Sequence, residues 1–156
     1  NYFSEVLKKD ITFKLIGNGP LADKIAKQAK ELGNVKLIWE KNPLPNNEIR
    51  KELAKSNFYI CLHRKSIFDI VIIEAISCGC VPILTNVGGN PEFLPTSLHK
   101  ILINENNLYD QEKIEYLIVN FMEIREQLKI HYNRNLSPEA FISRYKNIDK
   151  LVYKHL

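Results

Sequence analysis

The sequence lacks an apolar run long enough to cross a bilayer. Its longest apolar stretch, Ile67–Ile76, is interrupted by Asp69 and Glu74, whereas a membrane-spanning helix needs about 20 mostly apolar residues. The segment Asn1–Asp10 is polar and lacks the apolar core of a secretory signal. The sequence therefore contains no predicted membrane span and no recognisable secretory signal, and the cysteines discussed next favour the cytoplasm.

Cysteine is also scarce, with only Cys61, Cys78 and Cys80. An odd number without spaced pairs does not make a disulfide framework. The pair around Gly79 has no second cluster that would complete a structural metal site. We interpret the three cysteines as small buried residues in a reducing compartment.

The charge is mild, with a formal net charge of +4. Because the lysines are spread over predicted helices, we interpret them mainly as solvated helix faces. A basic surface could also attract phosphate-bearing substrates or anionic lipid headgroups, which is compatible with peripheral association with a membrane. We expect no nucleic-acid partner, because no stacking-aromatic or basic-helix motif is present.

Short β-branched runs alternate with amphipathic helices, which favours an α/β fold with a Rossmann-like parallel sheet and helices on both faces. The predicted strands are Ile11–Gly17, Val35–Trp39, Phe58–His63, Cys80–Thr85 and Lys100–Ile103. The predicted helices are Pro20–Leu32, Asn47–Lys55, Phe68–Cys78 and Gln111–Asn133, then a final helix that Ser137 caps and that carries Phe141, Tyr145, Ile148 and Val152. Phe68–Cys78 is apolar nearly all round, so we expect deep burial. Residues 1–156 are predicted to form a single domain, in which Tyr2–Leu7 would be the end of a helix.

Two turns that contain glycine follow predicted strands. Gly17-Asn18-Gly19 ends a strand and precedes a helix that Pro20 would start, where glycines permit a tight turn and a close backbone approach. Gly88-Gly89 follows another strand and could present backbone N–H groups to a ligand. An ordinary connection remains an alternative for both turns.

Glu74 is the only charged residue in Ile70–Ile76. A buried carboxylate needs a partner, and two partners are open: an internal ion pair with Arg64 or Lys65, or a pair of ligand hydroxyls. Arg64 and Lys65 follow a predicted strand, at the edge where open α/β sheets bind ligands. They could meet phosphates there or lie solvated, and we interpret the neighbouring His63 as structural.

The ordered motifs of the chain resemble the C-terminal, donor-binding domain of retaining GT-B-fold glycosyltransferases of the group 1 family. The matching segments are Gly17-Asn18-Gly19-Pro20, Val35-Lys36-Leu37, Phe68 with Glu74-Ala75, and Gly88-Gly89-Asn90-Pro91-Glu92. The resemblance implies the donor-binding half of an enzyme of polysaccharide biosynthesis. That enzyme would move a hexose from a nucleoside-diphosphate sugar to a glycan or lipid-linked acceptor, with retention and without a metal or cofactor.

The resemblance also implies roles for individual residues. Glu74 would bind the ribose hydroxyls of the donor, and Gly17, Asn18 and Gly19 would shape the donor cleft. The donor-sugar and phosphate region would include Ser66, Phe68 and Asp69, and the cleft would be lined by Gly88 and Gly89. It assigns no catalytic residue.

The chain departs from the family pattern in front of this helix. The family's first glutamate, eight positions before Glu74, is Ser66 here, and its Gly-Phe-Gly is Ile67-Phe68-Asp69. A charge at Asp69 would repel a diphosphate by ~1 kcal/mol in water and several-fold more when desolvated. Asp69 could cap the helix, point away from the donor, or replace the lost glutamate.

The resemblance further implies a central first strand between Ile11–Gly17 and Phe58–His63, which would otherwise have unpaired edges. We therefore expect the chain to be an N-terminally truncated piece whose acceptor-binding domain is missing, and which is inactive by itself. The rival interpretation is a non-catalytic, glycosyltransferase-like module that binds a nucleotide or a partner protein, and Ser66 favours it. A sugar-nucleotide epimerase fits the surroundings of Glu74 less well.

Overall fold

A computed structural model describes residues 10–31 and 35–152, with two parallel pairs of strands. The strands are β1 (Ile11–Ile16), β2 (Val35–Glu40), β3 (Phe58–Cys61) and β4 (Val81–Leu84). β1 pairs with β2 so that Ile11 lies opposite Val35, and β3 pairs with β4 so that Phe58 lies opposite Val81. The predicted α/β class with parallel strands is confirmed.

Helices connect and flank these strands. They are α1 (Ala22–Glu31), α2 (Asn46–Ala54), α3 (Ile70–Ser77), α4 (Gln111–Val119), α5 (Phe121–His131) and α6 (Pro138–Val152). The predicted start of α6 is confirmed, because the Ser137 hydroxyl accepts a hydrogen bond from the Ala140 N–H at 3.2 Å. In the described part of the chain, no helix has the length and apolar character needed to cross a bilayer.

The two strand pairs are separate within the described residues. β1 pairs only with β2 and β3 only with β4, so β1 and β3 each have one edge without a strand partner among these residues. Apolar side chains on these strands are correspondingly open to solvent, with Phe13 37% and Ile60 43% exposed. An ion pair connects β1 to α2, since Lys14 Nζ lies 2.6 Å from Glu52 Oε2.

The core surrounds β4, whose four residues are all buried. Its largest buried apolar side chains come from α3, the helices α4 and α5, and the segment after β4: Ile72, Phe93, Leu98, Ile103, Leu117, Ile124 and Leu128. Burial of each such side chain stabilises the fold by about 1.5–3 kcal/mol. None of the described residues among 10–40 is fully buried. The core is therefore formed by β3, β4 and the helices that pack against them, which together are called the β3–β4 half.

The predicted strand Lys100–Ile103 is wrong. A 3₁₀ helix, Thr96–Ile101, occupies most of that segment, and only Ile103 forms an isolated parallel bridge, to Thr85. Pro95 stands at the start of the 3₁₀ helix, and Leu98 and Ile101 are both buried. A spacing of three places both side chains on one side of a 3₁₀ helix.

Two other expectations about helices need correction. The single helix predicted over Gln111–Asn133 is interrupted at Asn120, where the side-chain amide donates to the Tyr116 carbonyl at 2.8 Å and competes with the helical backbone. The helix after this interruption, α5, continues into a π-helical turn, Tyr132–Leu136. Phe68–Cys78 is shortened to α3 and buried on one side only, because Ile72 is fully buried while Ile70 is 67% exposed.

Some predictions lie outside what the structure describes. They are the helix end at Tyr2–Leu7, the continuation of the first helix to Leu32, and the side chains of Ile148 and Val152.

Candidate functional site

The Asp69 carboxylate is the centre of a polar cluster where β3 ends and α3 begins. Its Oδ2 atom accepts a hydrogen bond from Ser66 Oγ at 2.8 Å and lies 3.1 Å from His63 Nδ1 and 3.9 Å from Cys61 Sγ. The hydrogen bond from Ser66 is the main reason that the pKa of Asp69 lies below its ordinary value, and His63 lowers this pKa further. Asp69 is therefore a carboxylate at neutral pH, and its Oδ1 accepts no hydrogen bond from the described residues.

Asp69 occupies the N-cap position of α3 without capping it. Its backbone is extended, with φ −94° and ψ 100°, but its side chain makes no hydrogen bond to the helix N–H groups. Of the alternatives that the sequence leaves open for Asp69, capping of the helix is therefore not the one that the structure adopts. The Asp69 side chain does not reach the helix N–H groups because Ser66 and His63 hold its carboxylate near the end of β3.

Gly88 and Gly89 allow the loop after β4 to pack closely against the loop Ser66–Phe68. Gly88 has φ +53°, and a Cβ atom there would lie 1.8 Å from the Ser66 carbonyl oxygen. A Cβ atom at Gly89 would lie 2.5 Å from the Ile67 carbonyl oxygen. A side chain at either position would therefore collide with backbone.

The predicted presentation of N–H groups by this turn is wrong for Gly89. Its N–H donates to the Ile67 carbonyl at 3.0 Å, so it is already engaged inside the protein. The two glycines thus position the loop that carries Ser66, Phe68 and Asp69. The Phe68 ring also packs against the ring of Phe93, with 4.5 Å between the two ring centroids.

Glu74 lies half-buried on α3. None of the ion pairs among the described residues joins it to Arg64, Lys65 or another base. Burial raises the pKa of Tyr59 to about 12, and the negative charges of Cys61, Asp69 and Glu74 add to this shift. Glu74 lies four residues after the exposed Ile70 and three before the exposed Ser77, so it shares the more open side of α3. The internal ion pair considered from the sequence is not formed among the described residues.

The turn Gly17-Asn18-Gly19 follows β1 and is built separately. Gly17 has φ +111°, its N–H donates to the Glu40 carbonyl at 2.8 Å, and its own carbonyl accepts from Trp39 Nε1 at 2.8 Å. The Asn18 side chain accepts from the Gly19 N–H at 2.9 Å. No hydrogen bond or ion pair in the described part of the chain connects this turn with the Ser66–Asp69 loop.

The structure therefore unites five of the predicted site residues, Ser66, Phe68, Asp69, Gly88 and Gly89, and places Glu74 on the adjoining helix. Sequence reasoning missed the contributions of Trp39, Cys61 and Thr85. The Thr85 hydroxyl, which is fully buried, donates to the His63 carbonyl and so connects the ends of β4 and β3. Two signals were available in the sequence. Thr85 is a polar residue at the end of an otherwise apolar strand, and the indole N–H of Trp39 requires an acceptor.

Comparison with known proteins identifies the class and then the family. The fold is similar to that of Anabaena HepE, whose crystal structure was determined in complex with UDP, with a TM-score of 0.60 at 16% sequence identity over 98% of this chain and 44% of that chain. This likeness shows the fold, that of a GT-B glycosyltransferase. Residues 1–120 match the family Glycosyl transferases group 1, and the chain belongs to this family.

Curated relatives are similar at low identity. A human relative, one of the subunits of phosphatidylinositol N-acetylglucosaminyltransferase, is 24% identical over 166 residues, covering 92% of this chain and 34% of the relative. The GPI3 subunit of the Saccharomyces cerevisiae enzyme is 26% identical over 90 residues, covering 58% and 20%. The alpha-maltose-1-phosphate synthase of Mycolicibacterium smegmatis is 22% identical over 116 residues, covering 68% and 30%. The chain thus spans about a fifth to a third of the length of these relatives.

Proposed function

We propose that this chain is the donor-binding half of a retaining glycosyltransferase that moves a hexose from a nucleoside-diphosphate sugar to a glycan or lipid-linked acceptor. The observation that carries the proposal is the Glu74 carboxylate, half-buried on α3 and without an ion pair to any described base. A carboxylate can accept hydrogen bonds from two neighbouring hydroxyls at once, as the ribose of a nucleotide offers. Family membership supports the same role for Glu74.

The loop between β3 and α3 would hold the sugar and the diphosphate. All three polar contacts of Asp69 go to Oδ2, which leaves Oδ1 to accept a hydrogen bond from a sugar hydroxyl in place of the family's first glutamate. The charge of Asp69 disfavours a diphosphate beside it. In this proposal the diphosphate lies towards the exposed Arg64 and Lys65 of the same loop.

The turns that contain glycine would complete the donor cleft. Gly17, Asn18 and Gly19 are open enough to be approached by a ligand, since an added Cβ atom at Gly17 or Gly19 would meet nothing within 4 Å. Gly88 and Gly89 would act through the loop that they hold. No metal or cofactor enters this proposal for the transfer reaction.

The whole protein would supply the remaining functions. Because the chain spans a minor part of its relatives, the main acceptor-binding domain belongs to other parts of the protein in this proposal. Those parts would also supply further cations, beside Arg64 and Lys65, that neutralise the leaving diphosphate. A further parallel strand there would pair with the free edges of β1 and β3. A lipid-linked acceptor fits the exposed apolar residues Ile67 and Ile70, which are 91% and 67% exposed, and a peripheral position on the cytoplasmic face of a membrane.

The names of the relatives select the first substrates to test. The human and yeast relatives belong to phosphatidylinositol N-acetylglucosaminyltransferases, and the HepE structure contains UDP. The full-length protein should be incubated with UDP-N-acetylglucosamine, UDP-glucose, UDP-galactose and GDP-mannose, with and without phosphatidylinositol vesicles. We expect hydrolysis or transfer with one donor, and nuclear magnetic resonance of the product should show the anomeric configuration of that donor.

The rival function is a non-catalytic module that binds a nucleotide or a partner protein. Ser66, at the position of the family's first glutamate, favours it. In the same assay this module would bind a nucleotide or nucleotide sugar tightly and release no sugar from any donor. An inverted product would instead contradict the retaining mechanism.

A further inference from the structure

Three side chains of different chemistry converge at the carboxyl end of β3. Cys61 Sγ lies 3.6 Å from His63 Nδ1 and 3.9 Å from Asp69 Oδ2, and the nitrogen and oxygen are 3.1 Å apart. Ligand atoms around a tetrahedral zinc ion lie about 3.4–3.6 Å apart, given zinc–ligand bonds of about 2.0–2.3 Å. The triangle in the protein therefore has nearly the dimensions that a zinc ion requires.

The same three groups do not form a nucleophilic triad. In such a triad, the histidine contacts the nucleophile through one ring nitrogen and the carboxylate through the other. Here Cys61 and Asp69 both face Nδ1 of His63, so the imidazole cannot relay a proton between them in that manner. In addition, Cys61 is only 4% exposed, which leaves little room for a substrate to approach its sulfur.

We propose that Cys61, His63 and Asp69 bind one zinc ion through Sγ, Nδ1 and Oδ2. Thiolate, imidazole and carboxylate are the three protein ligand types that zinc accepts, whereas magnesium and calcium prefer oxygen ligands. As the zinc–sulfur bond forms, the thiol proton leaves to solvent and no electron is transferred. The His63 side chain is 58% exposed, so an ion bound to it would be accessible to solvent. A water molecule would then complete the coordination.

Neighbouring groups support this arrangement. Ser66 Oγ donates to Asp69 Oδ2 at 2.8 Å, the kind of hydrogen bond that orients a carboxylate ligand on a metal. The Thr85 hydroxyl donates to the His63 carbonyl and fixes the backbone of that ligand. The ion would join β3 directly to the start of α3 and so tie down the loop between them, a role that does not depend on glycosyl transfer.

The full-length protein, first freed of metal with a chelator, should be titrated with Co²⁺ and then with Zn²⁺. We expect one equivalent of Co²⁺ to produce the near-ultraviolet absorption of a cobalt–thiolate bond, and Zn²⁺ to abolish it by displacement. Zinc should also raise the melting temperature of the wild-type protein, because a ligand that binds only the folded state stabilises it.

Cys61→Ser should abolish the cobalt–thiolate band, and Asp69→Asn should weaken Co²⁺ binding by at least ~100-fold. Cys78→Ser is the matched control: Cys78 is the more exposed of the thiols and has no imidazole or carboxylate among its contacts, so the band should persist. The band's absence from the wild-type protein, or its persistence in Cys61→Ser, would overturn the proposal. Circular dichroism identifies a variant that fails to fold, and Asp69→Asn, which preserves the size of the side chain, then decides.

Discussion

Replacing Glu74 by alanine should raise the KM of the full-length protein for its proposed nucleotide-sugar donor by at least about a hundredfold. Each hydrogen bond from a ribose hydroxyl to the carboxylate contributes about 1.5–3 kcal/mol, so loss of both amounts to at least about 3 kcal/mol, or roughly two powers of ten or more in affinity. The ribose does not react and is bound alike in the ground and transition states. The kcat should therefore change little.

The split between KM and kcat separates this role from a structural one. Glu74→Gln keeps the shape of the side chain and one acceptor, and should raise KM by about tenfold, between the wild type and Glu74→Ala. Glu105→Gln, at an exposed glutamate in a turn far along the chain, makes the same chemical change as a control and should leave both constants unaltered. Equal donor affinity in Glu74→Ala and wild type would refute the ribose-binding role.

Replacing Gly88 by alanine should lower the free energy of unfolding of this domain by about 3 kcal/mol. An L-residue in the left-handed region costs about 1–2 kcal/mol, and overpacking against a rigid neighbour adds about 1–3 kcal/mol. Both terms apply, because Gly88 has φ +53° and the added Cβ would lie 1.8 Å from the Ser66 carbonyl oxygen and 2.7 Å from the Ser66 carbonyl carbon. Urea denaturation measures the change.

The displaced loop should affect the donor site as well. Because Ser66 would have to move, Gly88→Ala should also weaken donor binding, although Gly88 itself need not touch the donor. For stability, the control is Gly19→Ala, since Gly19 has no positive φ and an added Cβ would meet nothing within 4 Å. Its free energy of unfolding should change by less than about 0.5 kcal/mol. Equal stability of the two variants would contradict the packing role of Gly88.

The β3–β4 half shows how far the sequence predicts the fold. The buried strand Val81–Leu84 is apolar throughout, and its position is recovered to within a residue at each end. Lys100–Ile103 has similar local character, yet the structure contains a 3₁₀ helix that ends at Ile101. Periodicity in so short a segment does not distinguish residues that alternate in a strand from residues spaced by three.

The candidate site is predictable in its residue types but not in its contacts. The isolated charge of Glu74 and the glycines after β4 identify the region, because an unpaired charge is costly to bury and glycines permit a close backbone approach. The function of those glycines depends on the Ser66–Phe68 loop, which is 20 residues or so away in the chain and touches them only after folding. The cluster of Cys61, His63 and Asp69 likewise requires the turn of the chain between β3 and α3.

Asp69 illustrates why alternatives remained open at the level of the sequence. An aspartate immediately before a helix favours a cap, but the nearby Ser66 hydroxyl and His63 imidazole compete for its carboxylate. In the structure these two partners prevail, and α3 begins without a side-chain cap. Such a competition is decided by the positions of the three side chains in the folded protein, which residue spacing alone does not give.

The central claim is that a nucleotide-sugar donor binds at the carboxyl ends of the strands, with Glu74 at its ribose. Hydrogen–deuterium exchange of the full-length protein, with and without UDP-N-acetylglucosamine or the preferred donor, tests it most directly. We expect slower exchange at the turn 17–19 and in the segment 64–75, and no change around the groove at Cys78, Gly79 and Arg125. Protection at that groove, with 17–19 and 64–75 unaffected by a bound donor, would rule out donor binding at the carboxyl ends of the strands.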